Sequence, residues 1–423
     1  MRLNRLTENI LSLTTIKGLD YLLAFISFPY LVRVLGVEHY GALIFAQGVM
    51  QYFLLFTDYG FNLTAPKAIA REKCPQQIGL VFSSVLGGKL LLLAISSLAL
   101  ALGLVAADYL GIADYRLYLI LYLSIIGSVL FPVWFFQGVQ EMRYITVANV
   151  IARFLSVAGI FYWVKSTADF LSAAFFLSVV PLLAAAISYL IILRFHSEVL
   201  VMPRFDAVKK MLISSWGIFT STVAMNLYTA SSVVFLGLIA DSTAVGYFAG
   251  AKKIVDNILQ LMSPLTQAIY PYIAQKVAVS RRAALLFLRK ILMLLGGGNF
   301  IISAVLFVFA EEIVNILLGA NYQQSIALLR IMAFLPFLIA LSQVFGIQTM
   351  LNFGLEREFN RILLGAALIH TVLIVPFTIY LAASGTAIAV LITELLVTAA
   401  MYMVLRKNNI DLGRKFCLDE LKK

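Results

Sequence analysis

Residues 78–105 read IGLVFSSVLGGKLLLLAISSLALALGLV, and Lys89 is the only charged residue among them. A helix needs about 20 mostly apolar residues to cross the hydrocarbon core of a bilayer, and this stretch exceeds that length. Because a long apolar run without breaks is typical of a lipid-embedded helix, the stretch predicts a transmembrane span.

Similar apolar runs recur on both sides of this stretch, which makes about twelve predicted spans in all. They cover residues 10–34, 40–63, 78–105, 116–138, 145–165, 170–194, 212–240, 247–275, 291–310, 325–352, 362–382 and 386–406. The sequence therefore predicts an all-α integral membrane protein.

The longest polar connection divides the predicted spans into six and six. We expect an N-terminal six-helix lobe (1–195), a cytoplasmic linker (196–211), a C-terminal six-helix lobe (212–406) and a cytoplasmic tail (407–423). A weak repeat supports this division. Gly41, Ala46 and Pro66 recur 205 positions further on as Gly246, Ala251 and Pro271. The repeat favours a duplicated unit whose two copies start from the same side of the membrane.

Composition excludes a soluble enzyme. The chain is 62% hydrophobic and only 13% charged, with a mean hydropathy of +0.95, whereas soluble domains carry about 25% charged residues. Neither a nucleotide-binding P-loop nor a GxSxG or HExxH motif is present in the sequence. We therefore expect a protein that is not an enzyme, has no cofactor or metal, and is not an ATP-driven pump by itself.

The chain carries 32 Lys and Arg against 21 Asp and Glu, a net charge of +11. Basic residues concentrate in alternate connections between the predicted spans, which by the positive-inside rule predicts that both termini lie in the cytoplasm. The basic residues form no stripe with interleaved aromatics, so a nucleic-acid partner is not expected. Cys74 and Cys417 both fall on the predicted cytoplasmic side, and no disulfide is expected there.

Several ionisable residues fall inside the predicted spans, where each costs roughly 2.5–3.5 kcal/mol and commonly faces a cavity or a partner. The cations are Lys17, Lys89, Arg153, Lys252 and Lys253, and the anions are Asp20, Asp58 and Asp256. Two pairs, Lys17 with Asp20 and Lys252 with Asp256, have the spacing that lets side chains meet on one helix face. For Asp58 we expect a bond to the backbone or to Lys67. Lys89 is expected to extend to the inner membrane surface.

Cations outnumber anions among these residues, so we predict a lumen that binds an anionic substrate through Arg153, Lys253, Lys89, Lys17 and Lys252. The three aspartates are candidates for ion coupling. Neutral polar side chains on neighbouring spans are candidates for binding sugars: Asn226, Gln260, Gln267 and Gln343. Such residues equally serve as contacts between helices. The isolated His370 is interpreted as a helix contact rather than a proton relay.

Four stretches point to a known family. They are FPYLVRVLG (28–36) followed by Tyr40-Gly41, DYGFNLTA (58–65), WFFQG (134–138), and PLTQAIYP (264–271) with Gly346-Ile347-Gln348 further on. Together they resemble the Wzx-type O-antigen flippases of the polysaccharide transporter family, over nearly the whole chain.

The resemblance implies a fold like that of the multidrug and toxic compound extrusion (MATE) transporters, with two six-helix lobes around a central lumen. It also implies a substrate, an oligosaccharide repeat unit linked by diphosphate to undecaprenol, which is flipped across the bacterial inner membrane. Alternating access, coupling to an ion gradient, and association with an O-antigen polymerase and a chain-length regulator are implied in the same way. The alternatives are a drug or small-molecule exporter of the same superfamily, a membrane-embedded polysaccharide polymerase, and a structural component of an assembly complex.

Overall fold

The structure is a computed structural model, which describes residues 2–72, 74–109, 114–229 and 231–412. The described residues form helices and short connections between them. The chain divides into two compact units, Met1–Asn226 and Leu227–Lys423. The first unit therefore extends into the seventh predicted span.

The first unit is built from α-helices of very different lengths. They are α1 (Arg2–Asp58), α2 (Phe61–Ile69), α3 (Pro75–Tyr109), α4 (Tyr115–Leu130), α5 (Val133–Gly138), α6 (Met142–Trp163), α7 (Phe170–Phe195) and α8 (Phe205–Thr229), of which α8 ends just beyond the unit boundary. Short 3-10 turns at Thr167–Asp169 and Ser197–Val199 precede α7 and follow it.

Helix α1 contains the first predicted span and most of the second. It is interrupted at Gly36, whose φ of 72° and ψ of 176° lie outside the helical region. Glycine adopts a positive φ at little cost because it has no Cβ. The break falls at the end of the FPYLVRVLG stretch, so this motif marks the boundary between two spans that otherwise form one helix.

The core of the first unit joins two of the motif stretches. Phe61, Ala65 and Ile69 of α2 belong to the same buried cluster as Trp134, Phe135 and Phe136 of α5. The packing is close: a Cβ added at Gly138 would lie 2.6 Å from the Cβ of Ile69. Short helices α2 and α5 therefore carry the aromatic core on which the longer helices pack.

The second unit begins with α9 (Ser231–Ile239). It continues with α10 (Ser242–Val279), α11 (Arg281–Ile291), α12 (Gly297–Val308), α13 (Ala310–Leu317), α14 (Gln323–Met332), α15 (Leu335–Gln343) and α16 (Glu356–Lys407). Two π-helical segments, Leu292–Gly296 and Val344–Met350, connect α11 to α12 and follow α15. Short 3-10 turns lie at Ala320–Tyr322 and Leu351–Phe353.

Helix α16 contains the last two predicted spans and is broken at Ala382, where φ is 48° and ψ is −128°. A positive φ is rare for a residue with a Cβ. A hydroxyl pair bridges the two halves of α16, since Thr378 Oγ1 and Thr386 Oγ1 lie 2.9 Å apart in a buried position.

The segment 408–412, which follows α16, is anchored in the second unit. Ile410 and Leu412 are only 3% and 5% exposed and belong to a core cluster with Leu285 and Leu288 of α11. Arg289 Nη2 donates a 2.7 Å hydrogen bond to the Asp411 carbonyl oxygen. The beginning of the predicted tail is therefore part of the folded unit.

Eight helical stretches among the described residues are long and apolar enough to cross a membrane. Two of them contain the breaks at Gly36 and Ala382, so each of these covers two of the predicted spans. The predicted seventh and eighth spans correspond to α8–α9 and α10. The all-helical membrane architecture is confirmed.

Candidate functional site

A cavity of about 320 Å³ lies in the first unit, between α1, α2, α3, α4, α5 and α8. Its polar lining consists of Gln51, Thr57, Asp58, Asn62, Lys89, Ser128, Thr222 and Asn226. An interior surface rich in amides and hydroxyls is unusual among lipid-embedded helices, because unsatisfied polar groups are costly there. This cavity is the candidate functional site.

An ion pair between two of the predicted site residues holds one side of the cavity. Lys89 Nζ lies 3.0 Å from Asp58 Oδ1, and the Lys89 side chain is only 3% exposed. Asn62 Nδ2 donates a 2.5 Å hydrogen bond to the same carboxylate oxygen. The expectation that Asp58 pairs with Lys67 is wrong, as is the expectation that Lys89 extends to the membrane surface. Burying a charged ammonium group costs free energy unless an opposite charge pairs with it, and Asp58 supplies that charge.

The DYGFNLTA stretch creates this arrangement through a turn. Helix α1 ends at Asp58, and the next two residues, Tyr59 and Gly60, have φ values of 49° and 77°. This break starts α2 at Phe61 and leaves Asn62, four residues further on, beside Asp58. Thr64 Oγ1 lies 2.8 Å from Ser215 Oγ and ties α2 to α8. The motif is therefore the structural basis of the ion-pair cluster.

A second cavity of about 220 Å³ shares Gln51 and Leu54 with the first. Its polar lining is formed by Gln47, Gln51, Ser124 and Ser178. Gln47, Gln51, Leu54 and Asp58 repeat at the i, i+4, i+7 and i+11 spacing of one helix face. The two cavities thus lie along one face of α1, on which Gln47, Gln51 and Asp58 are polar. Gln47, Gln51 and Asn62 were not among the predicted site residues, although this spacing would have revealed the two glutamines.

The groups in the first cavity suit a hydroxylated ligand. Asn226 Nδ2 donates to the Thr222 carbonyl oxygen at 2.9 Å. Within the described part of the chain, the buried Asn62 Oδ1 accepts no hydrogen bond. A buried amide oxygen of this kind favours a ligand hydroxyl as its donor.

Arg153 lies half-buried on α6 and is not among the residues that line these two cavities. The side chains of Lys17, Asp20 and Gln267 lie outside the described residues. The structure therefore brings together Lys89, Asp58 and Asn226 of the predicted set in the first unit.

In the second unit, the predicted pairing of Lys252 with Asp256 is confirmed. Lys252 Nζ lies 2.7 Å from Asp256 Oδ2 and 2.9 Å from Oδ1. Lys253 and Gln343 are half-buried, and Gln260 is exposed. Two of the five predicted lumen cations, Lys89 and Lys252, are thus paired with two of the three predicted anions.

Comparison with known proteins identifies relatives over nearly the full length. The chain is 34% identical over 97% of its length, and over 99% of the relative, to an Escherichia coli K12 protein named "Putative O-antigen transporter". A Shigella dysenteriae protein of the same name is 30% identical over 93% of the chain and 98% of its own length. Because both relatives carry a transporter's name, the chain belongs among transporters and not among enzymes.

Two solved structures confirm the fold. The chain matches the lipid II flippase MurJ in an inward closed conformation, with a TM-score of 0.69 and 15% identity over 94% of this chain and 87% of that one. It also matches an inward-facing MATE multidrug transporter of the MOP superfamily, with a TM-score of 0.63 and 14% identity over 94% of this chain and 100% of that one. At these identities the likeness concerns the fold, and the expected MATE-like fold is confirmed.

The family described as polysaccharide biosynthesis protein matches residues 6–277. This match covers more than half of the chain and includes the ion-pair cluster of the first unit. With the two full-length relatives, it leads to one conclusion: the chain belongs to the polysaccharide biosynthesis protein family.

Proposed function

We propose that this protein is a flippase that moves undecaprenyl-diphosphate-linked O-antigen repeat units from the cytoplasmic to the periplasmic leaflet of the bacterial inner membrane. The observation that carries the proposal is the 34% identity, over 97% of the chain, to a protein named as an O-antigen transporter. Sequence likeness of this extent favours a shared substrate class, whereas the more distant structural matches speak only for the fold.

The lining of the first cavity supports a sugar ligand. Amides and hydroxyls bind sugars by hydrogen bonds, and Gln51, Asn62 and Asn226 offer both donors and acceptors. The Lys89–Asp58 pair adds a fixed dipole whose two ends can each bind a sugar hydroxyl. Such a polar lining does not suit a drug exporter whose substrates are lipophilic cations.

The diphosphate of the substrate requires cations, and Arg153 and Lys253 are our candidates for this role. In the proposed mechanism the two predicted six-helix lobes alternate between open states around a central lumen, while the lipid tail remains in the bilayer. Both termini lie in the cytoplasm, and an ion gradient drives the cycle. The O-antigen polymerase and the chain-length regulator are the proposed partners on the periplasmic side.

The test is to locate the lipid-linked repeat unit in cells that lack the protein, using right-side-out spheroplasts and a membrane-impermeant sugar label. We expect unpolymerised repeat units to accumulate and to be protected from the label. Unpolymerised units that are accessible to the label would instead indicate a defect in polymerisation, which contradicts the proposal. Normal surface polysaccharide with no accumulating intermediate would favour a small-molecule exporter.

A further inference from the structure

His370 occupies a buried junction of three helical segments in the second unit. It lies in the first half of α16 and is only 1% exposed. Its Nε2 lies 3.2 Å from Ser232 Oγ on α9, and its Nδ1 lies 3.1 Å from Thr393 Oγ1 in the second half of α16. The ring thus bridges both halves of the broken helix and a neighbouring helix.

The hydrogen bonds around the ring assign its tautomer. Thr393 Oγ1 donates its single proton to the Ala389 carbonyl oxygen at 2.7 Å. Its oxygen must therefore accept from His370, so Nδ1 carries a proton. Nε2 is then the ring nitrogen whose lone pair is available to a second proton.

Ser232 Oγ can form a hydrogen bond with Nε2 whether or not Nε2 carries a proton. A hydroxyl has one donor hydrogen and two acceptor lone pairs, and it rotates freely between these uses. It donates to the lone pair of the neutral ring and accepts from the N–H of the protonated ring. Protonation at Nε2 therefore leaves the hydroxyl contacts with Ser232 and Thr393 in place.

Few charged groups lie on the elements packed against this helix. Helices α9 and α15 and the π-helical segment Val344–Met350 contain no ionisable residue. Glu394 follows Thr393, but its Oε1 accepts a 2.7 Å hydrogen bond from Ser342 of α15. Arg330 of α14 is exposed, and α10 carries Lys253, the Lys252–Asp256 ion pair and, in its last turn, Lys276.

His370 is the helix contact expected from the sequence, but against the expectation that it is not a proton relay we infer that it is also a proton-binding site through which transport by this protein is coupled to a proton gradient. The inference rests on the proposed function and names its coupling ion. The proton adds to Nε2 and creates an imidazolium at the junction of α9 and the two halves of α16. It leaves from the same atom and restores the neutral ring. The break at Ala382 separates the two halves of α16, so they do not form one rigid helix. A change of charge on the ring between them therefore acts on two separate helical segments.

The test uses the purified full chain in proteoliposomes, with a purified lipid-linked O-antigen repeat unit as the probe. For the wild type we expect the flipping rate to respond to an imposed pH gradient, by at most about tenfold per pH unit for one proton. His370→Gln keeps a donor and an acceptor but cannot bind the proton, so the response should be lost. A response equal to that of the wild type would overturn the inference.

Thr378→Val is the matched control. It removes the hydroxyl pair with Thr386, which also bridges the two halves of α16, and contains no ionisable group. This variant should keep the response to the pH gradient. If Thr378→Val loses the response to the pH gradient as His370→Gln does, the role of His370 is to connect the two halves of α16 and not to bind a proton. The inference would then fail.

A direct measurement separates this inference from the proposed function. The chain has three histidines, so ¹³C-histidine labelling in lipid nanodiscs gives few ring signals, and the one missing in His370→Gln belongs to His370. We expect that signal to change to that of a protonated ring as the pH is lowered through the range in which the flipping rate responds to the gradient. A ring that stays neutral throughout overturns the inference even if flipping occurs. A ring that titrates while the repeat unit is never flipped supports proton binding and refutes the proposed substrate.

Discussion

At the level of single residues, the Lys89–Asp58 pair makes a stability prediction. Lys89→Met leaves the Asp58 carboxylate without its cation, and we expect the free energy of unfolding to fall by about 3 kcal/mol. Asp58→Asn should be similarly harmful because the buried ammonium loses its partner. The double variant removes both charges and should regain most of the loss. Denaturant unfolding of the purified protein in detergent measures all three.

Additive losses in the double variant would contradict a direct charge pairing. The same variants also report on function. Because both side chains line the first cavity, the double variant should restore stability without restoring O-antigen export. Normal export would assign the pair a structural role alone.

The proposed diphosphate ligands give a second residue-level prediction. Arg153→Ala or Lys253→Ala should abolish surface O-antigen, visible as loss of the ladder on a lipopolysaccharide gel, with a normal amount of protein in the membrane. Arg71, an exposed arginine in the connection between α2 and α3, provides a control whose replacement by Ala should leave the ladder unchanged. Export by both lumen variants would exclude a charged diphosphate site at these positions.

Residue pairs were predictable from the sequence only when both partners lie on one helix. Lys252 and Asp256 are one helical turn apart, so their spacing alone predicts the ion pair. Asp58 and Lys89 lie on different helices, and their meeting depends on how α1 and α3 pack. Local periodicity contains no information on such packing.

At the level of elements, the turn between α1 and α2 is the most constrained connection near the site. Gly60 has a φ of +77°, and a Cβ added there would lie 2.8 Å from Ile218 Cγ2 of α8. Gly60→Ala therefore meets both an unfavourable backbone conformation and a steric conflict, and should cost about 1–3 kcal/mol of stability. Thermal unfolding in detergent checks this value.

Gly103→Ala is the matched control for that variant. Gly103 lies in α3, and a Cβ added there would have no atom of a neighbouring residue within 4 Å. Alanine should therefore be neutral or slightly stabilising at this position, because it is the better helix former. Equal effects of the two substitutions would show that the turn geometry is not what makes Gly60 necessary.

The helices themselves were largely predictable because lipid demands long apolar segments. What the apolar pattern could not predict is how the segments are joined. The first two and the last two spans continue into each other, with a break only at Gly36 or Ala382. The π-helical segments Leu292–Gly296 and Val344–Met350 have no hydropathy signal, because a change in hydrogen-bond register leaves the composition unchanged.

At the level of the whole molecule, the weak internal repeat gains support from burial. Gly41 and Gly246 are both buried, as are Ala46 and Ala251, at the same spacing of 205 residues. The same spacing relates Gln47 and Gln51 of the first unit to Lys252 and Asp256 of the second. One copy of the repeat therefore carries neutral amides where the other carries an ion pair.

This correspondence predicts the outcome of making the two units alike. Replacing Lys252 and Asp256 together by Gln should change stability by less than about 1 kcal/mol, since the pair is partly exposed and lies within one helix. We expect export of O-antigen to fall nevertheless, because the charges are proposed to act on substrate or coupling ion. Denaturant unfolding in detergent measures the stability, and the lipopolysaccharide gel measures export. A normal ladder would show that amides suffice at these positions.

The anchoring of residues 408–412 has a consequence for experiments on membrane topology. Reporter enzymes are commonly fused at successive truncation points to find the side on which each loop lies. A fusion made just after Arg406 would delete Ile410 and Leu412 from the core and the carbonyl that Arg289 binds. Such a hybrid would report on a damaged second unit, so the orientation of the C-terminal end is better mapped with reporters joined after Leu412.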